Sequence, residues 1–253
     1  MGFNAFSPFG TTSLGSTSHM LAALNEVAVL LPVFLLIFTW RGFAQALSAK
    51  LMGDTSPEED GFLTLNPLAH IDLVGLLTIL AAFFAITAFL AGSIPSTVLL
   101  MMLIMLGVRW TYPVQVDDTR FKNYRLGGVV TSLTGPLSNF LLAFLAVGAM
   151  KLVLQVGMAQ FALVSFLEIF KTLVRVAIFF GVIDLIPLPP FDGGKLLRYL
   201  LPYSQQHIVQ KLEEYSLIIM LVVFFMPGVS QVFFGGLFML ATLIKHFFFW
   251  IFF

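Results

Sequence analysis

The chain has 253 residues, 59% of them hydrophobic and 10% charged, with 13 basic and 13 acidic side chains and a mean hydropathy of +0.98. Soluble domains carry about a quarter charged residues, so this chain has too little polar surface to face water on all sides. Zero net charge without a basic stripe excludes nucleic acid as a partner, and the absence of cysteine excludes disulfides, thiolate ligands and cysteine nucleophiles. Any metal centre has to draw on aspartate, glutamate, backbone oxygen or the four histidines, His19, His70, His207 and His246.

The apolar residues come in long runs, the pattern of membrane-spanning helices. Residues 1–21 are rich in Gly, Ser, Thr and Phe and hold no Lys or Arg, so they lack the basic start of a signal peptide. They read as an extramembrane lead to a single transmembrane domain over 22–253. The first apolar segment covers about 22–49 and contains Trp40 and Arg41; an acidic loop with Asp54, Glu58, Glu59 and Asp60 follows. Segments at about 73–91 and 95–108 form a hairpin, and a polar stretch over 109–128 leads to a fourth segment, about 129–156. A fifth covers about 161–186. The last apolar stretch, 215–253, is too long for one span of about 20 residues, and its Met226-Pro227-Gly228 break predicts two passes, or one pass and a half-buried segment. The expected fold is all-α, with about six transmembrane helices. The loops that hairpin counting places on one side carry Lys50, Arg109, Arg120, Lys122, Arg125, Lys195, Arg198 and Lys211, which orients that side to the cytoplasm.

Three stretches carry specific patterns. They are Phe62-Leu-Thr-Leu-Asn-Pro-Leu-Ala-His-Ile-Asp72, then Tyr112-Pro-Val-Gln-Val116 followed by Leu133-Thr-Gly-Pro-Leu-Ser-Asn139, and finally Leu185-Ile-Pro-Leu-Pro-Pro-Phe-Asp-Gly-Gly194. In this order and spacing the chain resembles the site-2 protease family of intramembrane zinc metallopeptidases, over roughly residues 30 to 202. The resemblance implies a three-helix core, a location in a bacterial-type inner membrane, and a first core helix bearing His-Glu-x-x-His, where two histidines one turn apart hold zinc and the glutamate is the general base.

At the matching place this chain has Arg41, Gly42 and Gln45. The third family ligand survives as Asp192, and Asn139 matches the asparagine that lies beside the substrate chain. Guanidinium has no lone pair to offer and repels a dication, Gly42 has no proton acceptor, and Gln45 brings at best a weak carbonyl ligand. The sequence therefore predicts no zinc and no catalytic residue. His70 belongs to the family's loop motif and is expected to hydrogen-bond the loop or lie at the membrane interface, and the other three histidines are expected outside the membrane core.

Arg41 lies ~13 Å along a helix from Lys50, and an unpaired charge at membrane depth is costly. The expected partner is Asp192, with Asp184, where the family usually has Asn, as a second. Asn139, Asp184 and His70 are candidates for lining a cleft. The implied role is a binding, scaffold or accessory subunit that contacts lipid and other membrane subunits. An active peptidase with unconventional ligands and a proton or ion pathway through Asp184 and Asp192 are the rival readings. The aromatic end, Lys245 to Phe253, reads as lipid-facing or as a face for another subunit.

Overall fold

The computed structural model describes residues 16–72, 77, 114–156, 160–189 and 191–253. The described part is helical and contains no strand, so the fold is all-α. The helices are α1 (Ser16–Met52), α2 (Ser56–Glu59), α3 (Tyr124–Gln155), α4 (Gln160–Asp184), α5 (Asp192–Leu200), α6 (Gln206–Glu214), α7 (Ser216–Phe225) and α8 (Pro227–Phe252).

Three helices among the described residues are long and apolar enough to cross a membrane, over Ala28–Met52, Tyr124–Gln155 and Gly228–Phe252. The predicted segments at 73–91 and 95–108 lie outside the described residues. The fifth predicted segment is helical as α4, but it is set apart from those three by its charge: it carries Glu168, Lys171, Arg175 and Asp184 within 25 residues. The final apolar stretch divides at Met226, where Pro227 starts α8; α7 has only 10 residues, ~15 Å of helix, too short to cross ~30 Å of hydrocarbon. Two helices begin before the apolar segments expected from the sequence. Helix α1 begins at Ser16, with its apolar span from Ala28, and α3 begins at Tyr124, five residues before the predicted 129. The reason for the second is local: the Asn123 side chain accepts a hydrogen bond from Leu126 N at 3.1 Å and caps the helix in the polar stretch.

The core is built by α1, α3 and α4. It runs through Leu30, Val33, Phe34 and Ile37 of α1, Leu142, Ala143, Ala146 and Val147 of α3, and Val174, Ala177, Ile178 and Ile183 of α4. Small residues recur at helical spacing on the buried side of α3, at Gly128, Thr131, Ser132, Gly135, Ser138, Asn139, Ala143 and Ala146. With few atoms beyond Cβ, they let neighbouring helices approach closely, the usual source of helix association in lipid. A Cβ at Gly181 of α4 would lie 2.6 Å from the Phe140 ring, which shows how near the two axes run.

Helices α1 and α3 run antiparallel. Trp40 Nε1 donates to Ser138 O at 2.9 Å, Arg41 and Gln45 lie over Gly135, and beyond the helix ends Lys122 N donates to Met52 O at 3.0 Å. Two devices fasten that end. Gly53, with φ 115°, reverses the chain in the left-handed region that a side chain rarely adopts. Asp54, fully buried, accepts from Ser56 N at 2.9 Å, Ser56 Oγ at 2.6 Å and Asp117 N at 2.8 Å, joining the loop after α1 to the segment before α3.

Helix α8 lies against α4 and α3 through Phe238 on Phe179 and through Phe248 and Phe252 on Phe144. Its other side exposes Val232, Met239, Leu243, Phe247 and Trp250. His246 lies in this helix, within the apolar stretch Gly228–Phe252, and is exposed. His207 is exposed in α6, and the His19 side chain lies outside the described ones.

Candidate functional site

The site forms where the first turn of α5 meets the middle of α1 and α3. The Pro-rich turn after α4 delivers Asp192 to the start of α5, where the free N–H groups and dipole of the helix favour an acidic side chain. Gly193 and Gly194 make the turn possible by their lack of volume: a Cβ on Gly193 would sit 2.3 Å from Ile186 O, and one on Gly194 2.5 Å from Pro189 N. From Asp192 to Tyr199, α5 then follows α3 in reverse, with the Tyr199 ring against Gly128.

Asp192 is 2% exposed and meets three donors. Arg41 Nη2 donates to Oδ2 at 2.6 Å, Gln45 Nε2 donates to the same oxygen at 2.8 Å, and Lys195 Nζ donates to Oδ1 at 2.9 Å. Arg41 Nη2 also lies 3.3 Å from Asp184 Oδ2, an ion pair at the end of α4. Two cations and two carboxylates therefore neutralise one another within a few ångströms. Gly135 gives them room, since a Cβ there would lie 2.5 Å from Asp192 Oδ2, 2.8 Å from Gln45 Nε2 and 3.1 Å from Arg41 Nε.

Gly42 faces elsewhere. The loop Asn66-Pro67-Leu68-Ala69 folds into a short turn capped by the Asn66 side chain, which accepts from Leu68 N at 3.1 Å, and this turn aims His70 inward. The imidazole is 2% exposed and donates from Nε2 to Thr64 O at 2.9 Å. Its Nδ1 lies only 2.6 Å from where a Cβ of residue 42 would be. His70 thus fills the room that a side chain at position 42 requires. The three residues expected to line a cleft, Asn139, Asp184 and His70, are all buried.

An open cavity of about 400 Å³ does reach the cluster, from the end of the bundle that holds the basic loops. Gln45, Val114, Thr131, Asp192, Lys195 and Tyr199 line it. At its rim Tyr199 Oη donates to Asp118 Oδ2 at 3.2 Å, and burial together with the Asp118 charge pushes the phenol above its ordinary pKa. Arg198 pairs with Glu213. Sequence reasoning missed Lys195, Trp40 and Gly135 as parts of the site. Lys195 was within reach, since a basic residue three positions after an acid on a helix pairs with it; Trp40 and Gly135 gave no signal, as they act through positions 98 and 94 residues away in the chain.

The chemistry of this donor set does not fit zinc. A catalytic zinc site uses three protein lone-pair ligands and a water. Here the side chains at positions 41 and 45 present N–H groups to the carboxylate, and one of them carries a fixed positive charge. Among the described residues, no group of three His, Cys, Asp or Glu side chains is placed to hold a metal ion.

Comparison with known proteins places this architecture. The chain is 30% identical over 211 residues to the protein named "Putative zinc metalloprotease YwhC" of Bacillus subtilis (strain 168), a match covering 83% of this chain and 85% of that protein. No solved structure gives a significant match. Residues 25–227 match the description Peptidase family M50, and with the membrane-spanning helices and the Asp192 turn already in place, the chain belongs to that family of site-2 proteases.

Proposed function

We propose that this chain is a non-catalytic member of family M50, a multi-pass membrane protein that binds or scaffolds other membrane proteins rather than cutting them. The observation that carries the reading is the occupied carboxylate: Asp192 already accepts from Arg41, Gln45 and Lys195. In this reading the Arg41 guanidinium takes the place of the metal's positive charge and ties α1 to the α5 turn. A buried ion pair of this kind holds two elements in one geometry, which suits a protein that presents a fixed surface. Lys50, Arg120, Lys122, Arg125, Lys195 and Arg198 belong to the ends of α1, α3 and α5 that meet at one pole, which supports a cytoplasmic position for that pole and for the site.

Metal analysis of the protein purified from membranes tests the reading. The expected result is zinc well below one per chain; stoichiometric zinc, retained after mild chelation, overturns it. Gentle extraction should also bring down a stable membrane partner in constant ratio. The competing reading, an active zinc peptidase, is favoured by the name of the Bacillus subtilis relative. It requires ligands other than the side chains at positions 41 and 45, and stoichiometric zinc is the outcome that would support it.

A further inference from the structure

Among the described residues, four buried side-chain polar atoms have no hydrogen-bond partner: Arg41 Nε, Asn139 Nδ2, Asn139 Oδ1 and Asp184 Oδ2, the last within ion-pair distance of Arg41 Nη2. Asn139 is fully buried and Asp184 is 4% exposed. Most buried polar groups in folded proteins are paired, so a fully buried amide with both ends unused calls for an explanation.

The residues that carry them lie at neighbouring levels of α1, α3 and α4. Arg41 Nε lies 3.1 Å from the Cβ position of Gly135, and Asn139 is four residues further along α3, on the same face and ~6 Å up the axis. Helical side chains lean toward their own N-terminus, so Arg41 of the antiparallel α1 reaches toward the level of Asn139. Trp40, bonded to Ser138 O, fixes that register. On the third side, Gly181 of α4 packs on Phe140, which brings Asp184, less than one turn later, to the level of residues 136–139. Asp184 is already within 3.3 Å of Arg41.

What these atoms can bind follows from their chemistry. Arg41 Nε–H and the Asn139 amide N–H are donors; Asn139 Oδ1 and Asp184 Oδ2 are acceptors. A cation placed among them would face the guanidinium, and an anion would face two carboxylates. The charges of Arg41, Lys195, Asp184 and Asp192 sum to zero, so neither sign is favoured. The fitting ligand is neutral, small, and able to donate and accept at the same time. We infer that this is an internal water site: a water accepts from Arg41 Nε and Asn139 Nδ2 and donates to Asp184 Oδ2 and Asn139 Oδ1, linking α1, α3 and α4. Buried waters commonly make about three such bonds, and bridging two fixed groups costs little in order when the groups are already held in place. The inference does not depend on whether the chain cleaves peptides.

The test uses the full chain in detergent micelles or nanodiscs, with asparagine alone labelled with nitrogen-15. The side-chain amide pair that disappears in Asn139→Leu, or in Asn139→Ser if the leucine variant does not fold, belongs to Asn139. The expected result is a dipolar cross-relaxation peak between that pair and water, separable by sign from chemical exchange, together with a displacement of the pair in Asp184→Asn. An Asn139 pair with no dipolar peak to water overturns the inference. So does a pair unmoved by Asp184→Asn, because the proposed water is what connects the two side chains.

Discussion

Replacing Arg41 by methionine keeps most of the side-chain length and removes the charge and every N–H. In the wild type the guanidinium lies 2.6 Å from Asp192 and 3.3 Å from Asp184, whose side chains are 2% and 6% exposed. After the substitution Asp192 retains Lys195 and Gln45, whereas Asp184 loses its ion partner. Removing one member of a buried pair costs ~3–5 kcal/mol, mostly the penalty of the charge left behind. Since one of the two carboxylates stays partnered, the expected loss is in the lower part of that range, ~3–4 kcal/mol. For a chain of this size ~1 kcal/mol moves Tm by ~2–4 °C, so Tm should fall by ~6–16 °C. Intrinsic fluorescence is a suitable probe, because Trp40 is adjacent to Arg41 and is itself bonded across to α3. The double variant Arg41→Met/Asp184→Leu removes the stranded charge with its partner and should recover a good part of the loss. An Arg41→Met protein within ~1 kcal/mol of wild type, or a double variant as unstable as the sum of the single ones, would refute the assignment of a buried, coupled ion pair.

Other expectations follow from the same geometry. Side chains at positions 41 and 45 both reach Asp192 Oδ2, so Arg41→His/Gln45→His should create a three-ligand set with Asp192. That variant is expected to bind about one zinc per chain by elemental analysis while the wild type does not, and no uptake would show that the backbone here is no longer shaped for a metal. Gly42→Ala drives a Cβ into the His70 ring and should cost ~1–3 kcal/mol; His70→Ala should make the same substitution nearly neutral in thermal unfolding. Gly193→Ala meets a carbonyl of the chain itself and should cost ~3 kcal/mol or more, whereas Gly235→Ala on the open side of α8 should be neutral or gain up to ~1 kcal/mol. Asp54→Ala removes three hydrogen bonds and should lower stability by ~3 kcal/mol, read also as faster proteolysis near residues 114–120.

Much of this molecule is legible in its sequence. A mean hydropathy of +0.98 and runs of apolar residues dictate helices in a bilayer, since lipid offers no partners to an unpaired backbone. That Arg41 and Gly42 offer a metal no lone pair, and Gln45 only a weak carbonyl, is a matter of side-chain chemistry and needs no coordinates. The Asp192-Gly193-Gly194 turn could be read as well, since it follows a proline-rich stretch at the end of an apolar run.

Tertiary structure decided what the changed residues do. Which way Arg41 points depends on α5, 151 residues later, and on the empty face of Gly135; neither is local to residue 41. The sequence permitted an arginine reaching the interface just as well as one turned inward, for the stem is flexible and its charge needs only some partner. The same holds for Gly42. As a substitution it reads as a lost proton acceptor, but in the fold it is the seat of the His70 ring. Sequence lists the chemical groups and their spacing along one helix. Only packing between helices decides which buried groups meet, and there it brings Arg41, Gln45 and Lys195 together as donors to one carboxylate, that of Asp192.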